Sequence, residues 1–351
     1  MSAQGASTPP PDGRLGPVTV LGAHILDVLG RPVASIPPGQ GSARLEEIRA
    51  TAAGTAAGAG VDLAKLGAQV LAVGAIGDDL LGDMVTAAMA RHGIDTGGLT
   101  RKHGVQTSAT ILPIRANGER PALHVAGATP LLEFADVDLE RVRASRALLV
   151  GGPDALGAIG RDGLAQIAAA ARDGGALVAV DVLYPGGPGG LERIAGLLGA
   201  ADWFLPNGDQ LLALTGRDDI PSAVMDILAL GAGGVAVTLG ADGCVVGWPG
   251  GGELVALPAI EVAVVDTTGC GDGFTAGLLA GLLLGVSPVD AAWLGSACGA
   301  LVATGLGSDA GIENLGQVLE FLRRAQPTVA DRVAAAATRR APRHAKEHIH
   351  E

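Results

Sequence analysis

The sequence predicts an α/β fold: a mostly parallel central sheet covered by helices on both faces, with a small β-sheet projecting from it as a lid. Three observations carry this expectation. Apolar runs of strand length, rich in Val, Leu and Ile, recur along the chain. Helical patterns alternate with them, which is the signature of strands buried on both faces. Two segments break that rhythm with clustered turn residues.

In chain order the expected strands are Val18–Leu21, Val70–Ala75, Ala147–Val150, Leu177–Val180, Trp203–Leu205 and Val235–Thr238. The expected helices are Ala56–Leu66, Leu80–His92, Ile159–Arg172, Ala223–Leu230, Phe274–Leu284, Val289–Ala303 and Leu315–Arg324. The first irregular segment, about 30–50, contains Pro32, Pro37, Pro38, Gly39 and Gly41. The second, about 105–126, reads as two strands, Thr107–Ile114 and Arg120–Val125, joined at Asn117-Gly118, a strong hairpin signal. Together they predict the lid, over the carboxyl ends of the sheet where such folds bind ligands. Surface hairpins without a role are the alternative. Residues 1–16 and 327–351 carry no periodic pattern and are expected to be flexible tails. Three histidines near the end, His344, His348 and His350, read as part of a solvated tail.

Composition narrows the function. With 351 residues and 48% hydrophobic content, the chain holds enough apolar mass for one large domain from 17 to 326. Aromatics are 2%, so the core must be aliphatic and built around many of the 56 glycines. A formal charge of −12 argues against nucleic-acid or anionic-membrane partners, though not against a small phosphate ligand. Cys244, Cys270 and Cys298 are scattered, giving neither a disulfide framework nor a zinc site, and they fit a cytoplasmic location. The N-terminus lacks a secretory pattern, and the most apolar stretch, Phe274–Val286, is too short to span a bilayer.

The chemistry concentrates in Val264-Val265-Asp266-Thr267-Thr268-Gly269-Cys270-Gly271-Asp272-Gly273. A strand runs into a glycine turn and then into an apolar helix. Such a turn leaves the N–H groups of Gly269, Cys270 and Gly271 free, and the helix dipole adds positive potential, so the turn is an anion hole. Asp272 at the helix start is expected to stay ionised there and to accept the proton of an attacking alcohol. Asp in this position also serves as a plain helix cap. No GxxxxGK[ST], HRD-type loop or GxGxxG occurs, so a P-loop enzyme, a protein kinase and a simple dinucleotide-binding dehydrogenase are unsupported.

Asp266–Asp272 resembles the DTxGAGD signature of the ribokinase-like (PfkB) carbohydrate kinases, with Cys270 in place of Ala. Other segments match in the family's order: Ala53–Gly60 through Lys65-Leu66-Gly67, Gly74–Gly82, Pro206-Asn207, and Thr238–Gly243. The resemblance implies a three-layer α/β/α fold, ATP and Mg2+ as cofactors, and a small sugar as acceptor. It implies Asp272 as base and Gly269, Cys270 and Gly271 as anion hole. Asp27, Gly54 and Gly58 would fall at the sugar, and Asn207, Thr238, Gly240 and Gly243 along the nucleotide. Ser296 and Gly307 would fall at the adenine pocket. It also allows a homodimer through the lid. Read without the family, Asp27 is a turn residue and Asn207 a helix cap.

Two departures stand out: Gly58 occupies the place of an Asn that grips sugar hydroxyls, and Gln210 that of a Glu linked to magnesium. A glutamine lacks the charge for that task, which leaves Asp209 or the nucleotide itself to hold the metal. The lid segments contain no Phe, Tyr or Trp, which favours a hydroxyl-rich acceptor over a base-stacking nucleoside. Gln40, Asn117 and Arg120 are the candidate lid contacts, Arg120 for a phosphorylated sugar. A nucleoside kinase, or a family member without catalysis that serves as a binding protein, are the competing readings.

Overall fold

The computed structural model describes residues 15–184 and 189–339. The strands are β1 (Pro17–Gly22), β2 (Ile25–Arg31), β3 (Glu47–Ala53), β4 (Gln69–Gly77), β5 (Asp95–Lys102), β6 (Ala109–Pro113), β7 (Leu123–Val125), β8 (Ala147–Gly151), β9 (Leu177–Asp181), β10 (Trp203–Phe204), β11 (Val235–Thr238), β12 (Cys244–Gly247) and β13 (Val255–Leu257). The helices are α1 (Thr55–Lys65), α2 (Leu80–Ala90), α3 (Leu139–Arg143), α4 (Gly160–Asp173), α5 (Gly190–Leu198), α6 (Gly208–Thr215), α7 (Ile220–Ala229), α8 (Cys270–Leu284), α9 (Pro288–Val302), α10 (Leu315–Ala325) and α11 (Pro327–Arg339).

The main sheet has nine strands in the order β13-β12-β11-β10-β9-β8-β1-β4-β5. From β11 to β5 every neighbouring pair is parallel, while β12 and β13 add an antiparallel edge. Period-two alternation along the buried strands divides their side chains between two cores. Val18, Val20, Ala147, Leu149, Ala179 and Ala236 join one core, with α1, α8, α9 and α10. Leu21, Leu148, Val150, Val178, Val180, Val235 and Val237 join the other, with α4, α5, α6 and α7. This is the expected three-layer α/β/α arrangement. Helices α8 and α9 press together through glycines: a Cβ on Gly277 would meet Leu294 O at 2.7 Å, and one on Gly295 would meet Phe274 O at 2.8 Å. The helix that begins at the Gly269 turn is thereby held rigidly against its neighbour.

The lid is a second sheet, β3-β2-β6-β7. It is mixed: β2 pairs antiparallel with β3 and parallel with β6, and β6 antiparallel with β7. Its strands lie at the margins of the irregular segment near 30–50, not within it, because the prolines at 32, 37 and 38 suit the connection between β2 and β3 better than a ladder. Ala23 and His24 alone separate β1 from β2, and Gly54 alone separates β3 from α1.

The tails differ from expectation where they are described. Leu15 is fully buried and Gly16 O accepts Gln69 N–H at 3.1 Å, so both belong to the body. Residues 327–339, expected to be flexible, form α11. Val329, Ala330, Val333, Ala336 and Ala337 give it a buried face, and Arg332 makes two hydrogen bonds to the Asp290 carboxylate at 2.6 and 2.7 Å. The small alanines hid that face from a reading weighted towards large apolar residues. Residues 1–14 of the expected N-terminal tail, and the tail histidines, lie outside the described residues. Among the described residues no helix is long and apolar enough to cross a membrane.

Asp290 is only 5% exposed. Arg332→Ala should therefore leave a poorly hydrated carboxylate unpaired and lower the midpoint of urea denaturation. A loss within error of zero would show that α11 is held by its apolar face alone.

Candidate active site

A cavity of about 890 Å³ opens at the carboxyl ends of β9, β10 and β11, beneath the lid. Four groups of residues meet on its wall. The lid contributes Asp27, Thr110, Arg120 and His124. The start of α1 contributes Gly54 and Thr55. The glycine turn contributes Thr267, Thr268, Gly269, Gly271 and Asp272. The far end is built by Asp181, Asn207, Asp209, Thr238 and Gly240.

The turn is shaped by Asp266. Its buried carboxylate accepts Thr268 N–H at 3.0 Å and Thr268 Oγ1–H at 2.8 Å on one oxygen, and Gly307 N–H at 2.9 Å on the other. Gly269 follows at φ 81°, the left-handed conformation that lets the chain reverse into α8. A Cβ at Gly269 would also sit 2.4 Å from Ser308 Cα. Cys270 N–H turns back weakly onto Thr267 O at 3.4 Å, and Gly273 N–H closes onto Gly269 O at 2.8 Å. The N–H groups of Gly269, Gly271 and Asp272 have no partner among the described residues, and they stand at the positive end of a 15-residue helix. Cys270 does not line the cavity, so its contribution to the anion hole is limited by that back-turned N–H.

Asp272 does not hold the ordinary carboxylate range that its helix position suggested. Burial pushes its pKa up to about 7, the negative charge of Asp27 adds to the rise, and Arg120 opposes it. Desolvation therefore outweighs the helix terminus. Asp27 is raised to about 6, chiefly by burial, with Thr110 and Arg120 pulling it back. Asp181 is raised well above its usual value by burial and then by the charge of Asp272, and its Oδ2 accepts Thr275 Oγ1–H at 2.9 Å. The cavity floor thus gathers carboxylates that a cationic or proton-bearing ligand would relieve.

Gly58 lies directly under Asp272. A Cβ there would come within 2.4 Å of Asp272 Oδ2. Glycine at this position gives room for the carboxylate. The side chain missing relative to the family pattern could not be present in this geometry without moving Asp272.

The far end mixes scaffold and ligand surface. Asn207 Oδ1 caps α6 by accepting Gln210 N–H at 2.8 Å, and Gln210 Oε1 accepts Asn207 N–H at 2.8 Å. Gln210 Nε2 donates to Val182 O at 3.0 Å. Gln210 is therefore a strut between α6 and the segment that follows β9. Three expected nucleotide residues do not line the cavity. Gly243 sits in the tight turn into β12, where a Cβ would meet Leu257 O at 2.0 Å. Ser296 faces Cys244 across the seam of α9 and β12, Oγ to Sγ 3.8 Å. Gly307 backs Asp266, with Thr51 beside it. Asp266, Asp181 and the His124–Tyr184 edge-on ring pair, centroids 6.4 Å apart, were not singled out from sequence. Asp266 stood there as the first residue of the Asp266–Asp272 signature, without a role of its own, and Asp181 as an acidic residue ending a buried strand.

Among the described residues no three His, Cys, Asp or Glu side chains cluster to hold a metal. Asp181, Asp209 and Asp242 are the carboxylates at the far end of the cavity, and their hard oxygens are of the type that suits a hydrated divalent cation.

A carboxylate beside open N–H groups at a helix start, facing a lid that carries Asp27, Thr110 and Arg120, is an arrangement suited to phosphoryl transfer to an alcohol. The sequence profile of the pfkB family carbohydrate kinases matches residues 17–315, and the chain belongs to that family. It is an ATP-dependent sugar kinase. Similar proteins include fructokinase-1 of Oryza sativa subsp. japonica, 28% identical over 287 residues, covering 78% of this chain and 88% of that protein. A 1-phosphofructokinase of Haloferax volcanii is 34% identical over 257 residues, covering 69% and 77%. The structure of Arabidopsis thaliana ribokinase complexed with ribose and ATP aligns with a TM-score of 0.72 at 24% identity, covering 88% of this chain and 98% of that one, and it bears on the fold.

Gly58→Ala should displace the Asp272 carboxylate and lower turnover by about 10²-fold, with circular dichroism unchanged, because small misplacement of a reacting group is that costly. Full activity in Gly58→Ala would mean that Asp272 has slack in this site.

Proposed function

We propose that this kinase transfers the γ-phosphoryl group of ATP to a hydroxyl of a small sugar, with Asp272 as the base. The observation that carries the reading is the meeting of three groups on one cavity wall: the Asp272 carboxylate, the open N–H groups of the Gly269 turn, and Asp27 on the lid side. Asp27 and Gly54 orient the acceptor hydroxyls. Asn207, Thr238 and Gly240 border the nucleotide phosphates. The acceptor oxygen attacks in line while Asp272 takes its proton, and the turn's N–H groups meet the charge on the transferred phosphoryl. Mg2+ bound with ATP supplies positive charge to the phosphates when present. Asp181 and Asp209 are the residues that would face it.

The substrate side supports a polyhydroxylated acceptor: Asp27, Thr110, Arg120 and Gly54 offer hydrogen-bonding groups. One observation favours a second reading. The His124–Tyr184 ring pair lies on the same cavity, and a nucleoside base has a π-face to set against it. We place the enzyme in the cytoplasm, on the support of its three free cysteines and its use of ATP.

A homodimer through the outer face of the lid is part of this reading. Asp27 faces the cavity, so its strand neighbours face away. Register puts Ile111 beside Val28 and Leu123 on that outer face, with Val125 and Ile48 on the same side. Ile48 is 70% exposed and Ile111 and Leu123 are each 59% exposed. An aliphatic patch of this kind on a sheet fits a self-complementary two-fold contact.

Release of ADP measured over a panel of sugars, sugar phosphates and nucleosides tests the acceptor: preference for a sugar is expected, and preference for adenosine would replace it. Asp272→Asn should cut kcat by about 10²–10⁴-fold with ATP affinity nearly unchanged. Because the base must be ionised and its pKa is raised to about 7, kcat/KM of the wild type should fall tenfold per pH unit below about 7. Retained turnover in Asp272→Asn, or a flat profile from pH 5 to 8, would sink the role given to this carboxylate. Light scattering tests the assembly: the wild type should run as a dimer and Ile111→Asp as a monomer. A monomeric wild type would remove the lid interface.

A further inference from the structure

A buried charge cluster lies behind the glycine turn, outside the cavity. Lys65, the last residue of α1, has a side chain only 4% exposed, and Asp62 one turn earlier is fully buried. Lys65 Nζ donates to Asp309 O at 2.6 Å and to Asp62 Oδ1 at 3.4 Å. Asp62 Oδ2 has no hydrogen-bond partner among the described residues. Taking an ammonium out of water costs several kcal/mol, so an isolated stabilising role for this pair is a weak explanation for its presence. The bond lengths point elsewhere. The shorter contact goes to a backbone carbonyl of the loop between α9 and α10, and Asp62 stands off as the counter-ion.

That loop is the backing of the anion hole. Gly307 N–H is bound to Asp266, the residue that shapes the turn, and Ser308 Cα occupies the space where a Cβ on Gly269 would be. Ser308 Oγ–H is donated to Ala52 O at 3.1 Å. Arg49, from β3 of the lid, donates to Leu306 O at 2.9 Å, and its other terminal nitrogen lies 3.2 Å from Asp309 Oδ1. Two cations therefore take hold of one short run of carbonyls, Lys65 from the rigid body and Arg49 from the lid.

We propose that Lys65 is a positioning residue for phosphoryl transfer: its buried ammonium fixes the 306–309 loop, and through Gly307 and Ser308 the loop fixes the Gly269 turn that receives the transferred charge. The proposal rests on the kinase reading above for its kinetic consequence, but its structural content stands on the contacts alone. Lys65 does not line the cavity, so its effect falls on the transition state, where the geometry of the turn matters most, and not on ATP binding.

The test separates this role from plain stability by crossing two substitutions, Lys65→Met and Asp62→Asn, singly and together, in the full chain. Lys65→Met should be destabilised, because it leaves Asp62 buried without its counter-ion, and its kcat should fall at least about tenfold with KM for ATP little changed. In the double variant the buried carboxylate is gone, so thermal stability should largely return while kcat stays low. Asp62→Asn keeps the contact to Asp309 O and should retain kcat within about threefold. Amide hydrogen exchange gives a readout that needs no turnover: Gly307 N–H should lose protection in Lys65→Met and in the double variant, and keep it in Asp62→Asn. Recovery of kcat together with stability in the double variant, or undiminished protection of Gly307, would overturn the proposal. An inactive wild type with the expected exchange pattern would fault the kinase reading instead.

Discussion

Negative charge at the mouth of α8 is the constraint around which the rest is arranged. Phosphoryl transfer brings further negative charge to a cavity already lined by Asp27, Asp181 and Asp272, with Asp266 buried behind the turn. Each carboxylate is managed differently. Asp266 is saturated by N–H and hydroxyl donors and becomes a structural staple. Asp181 is held by a threonine hydroxyl and kept high in pKa. Asp272 is desolvated until it behaves as a base near neutrality. The open N–H groups of the turn add their potential to that of Arg120, whose Nε donates to Thr267 Oγ1 at 3.3 Å and whose charge opposes the rise in the Asp272 pKa.

The supporting framework follows from that demand. Backbone amides act as an anion site only if the turn cannot relax, so α8 is locked to α9 through glycines and the turn is backed by the 306–309 loop. The strands β9, β10 and β11 end at a common level because their parallel pairing aligns them, and this gathers Asp181, Asn207 and Thr238 at one rim. Gln210 strengthens that rim by tying α6 to the segment that follows β9. Its amide serves architecture at that rim.

Much of this was legible in the sequence, for physical reasons that differ by region. Buried parallel strands announce themselves as continuous β-branched runs, so β1, β4, β8, β9, β10 and β11 all stand where those runs are. The Gly269 turn was readable because strand, glycines and apolar helix leave few alternatives for the backbone. β5 was not seen, since its sequence Asp-Thr-Gly-Gly-Leu-Thr-Arg-Lys is half exposed at the sheet edge and lacks an apolar run. α11 was missed because alanine faces are quiet. Within the site, Asp272, Asp27 and Gly54 came together as the motifs implied. Gly243, Ser296 and Gly307 did not reach the cavity, as their places depend on turns and seams that motif spacing does not specify. The raised pKa of Asp272 depends on tertiary burial and was opposite to the expectation from its helix position. Asp62 and Lys65 lay inside a recognised helix, but their burial, and the loop they reach far along the chain, are tertiary facts.

The continuity of chain between body and lid has a consequence for how such an enzyme evolves. β1 passes into β2 through Ala23 and His24, and β3 passes into α1 through Gly54, so the lid sheet and Asp27, the acceptor contact in the proposal, are carried on strands continuous with the body. His24 at that junction is fully buried with Nε2 unpartnered among the described residues, which leaves little slack for pivoting. With Asp27 as an acceptor contact, as proposed, admission and recognition of the acceptor share one mechanical support. A new acceptor preference acquired by altering Asp27 or its neighbours would also reset the ease with which product escapes.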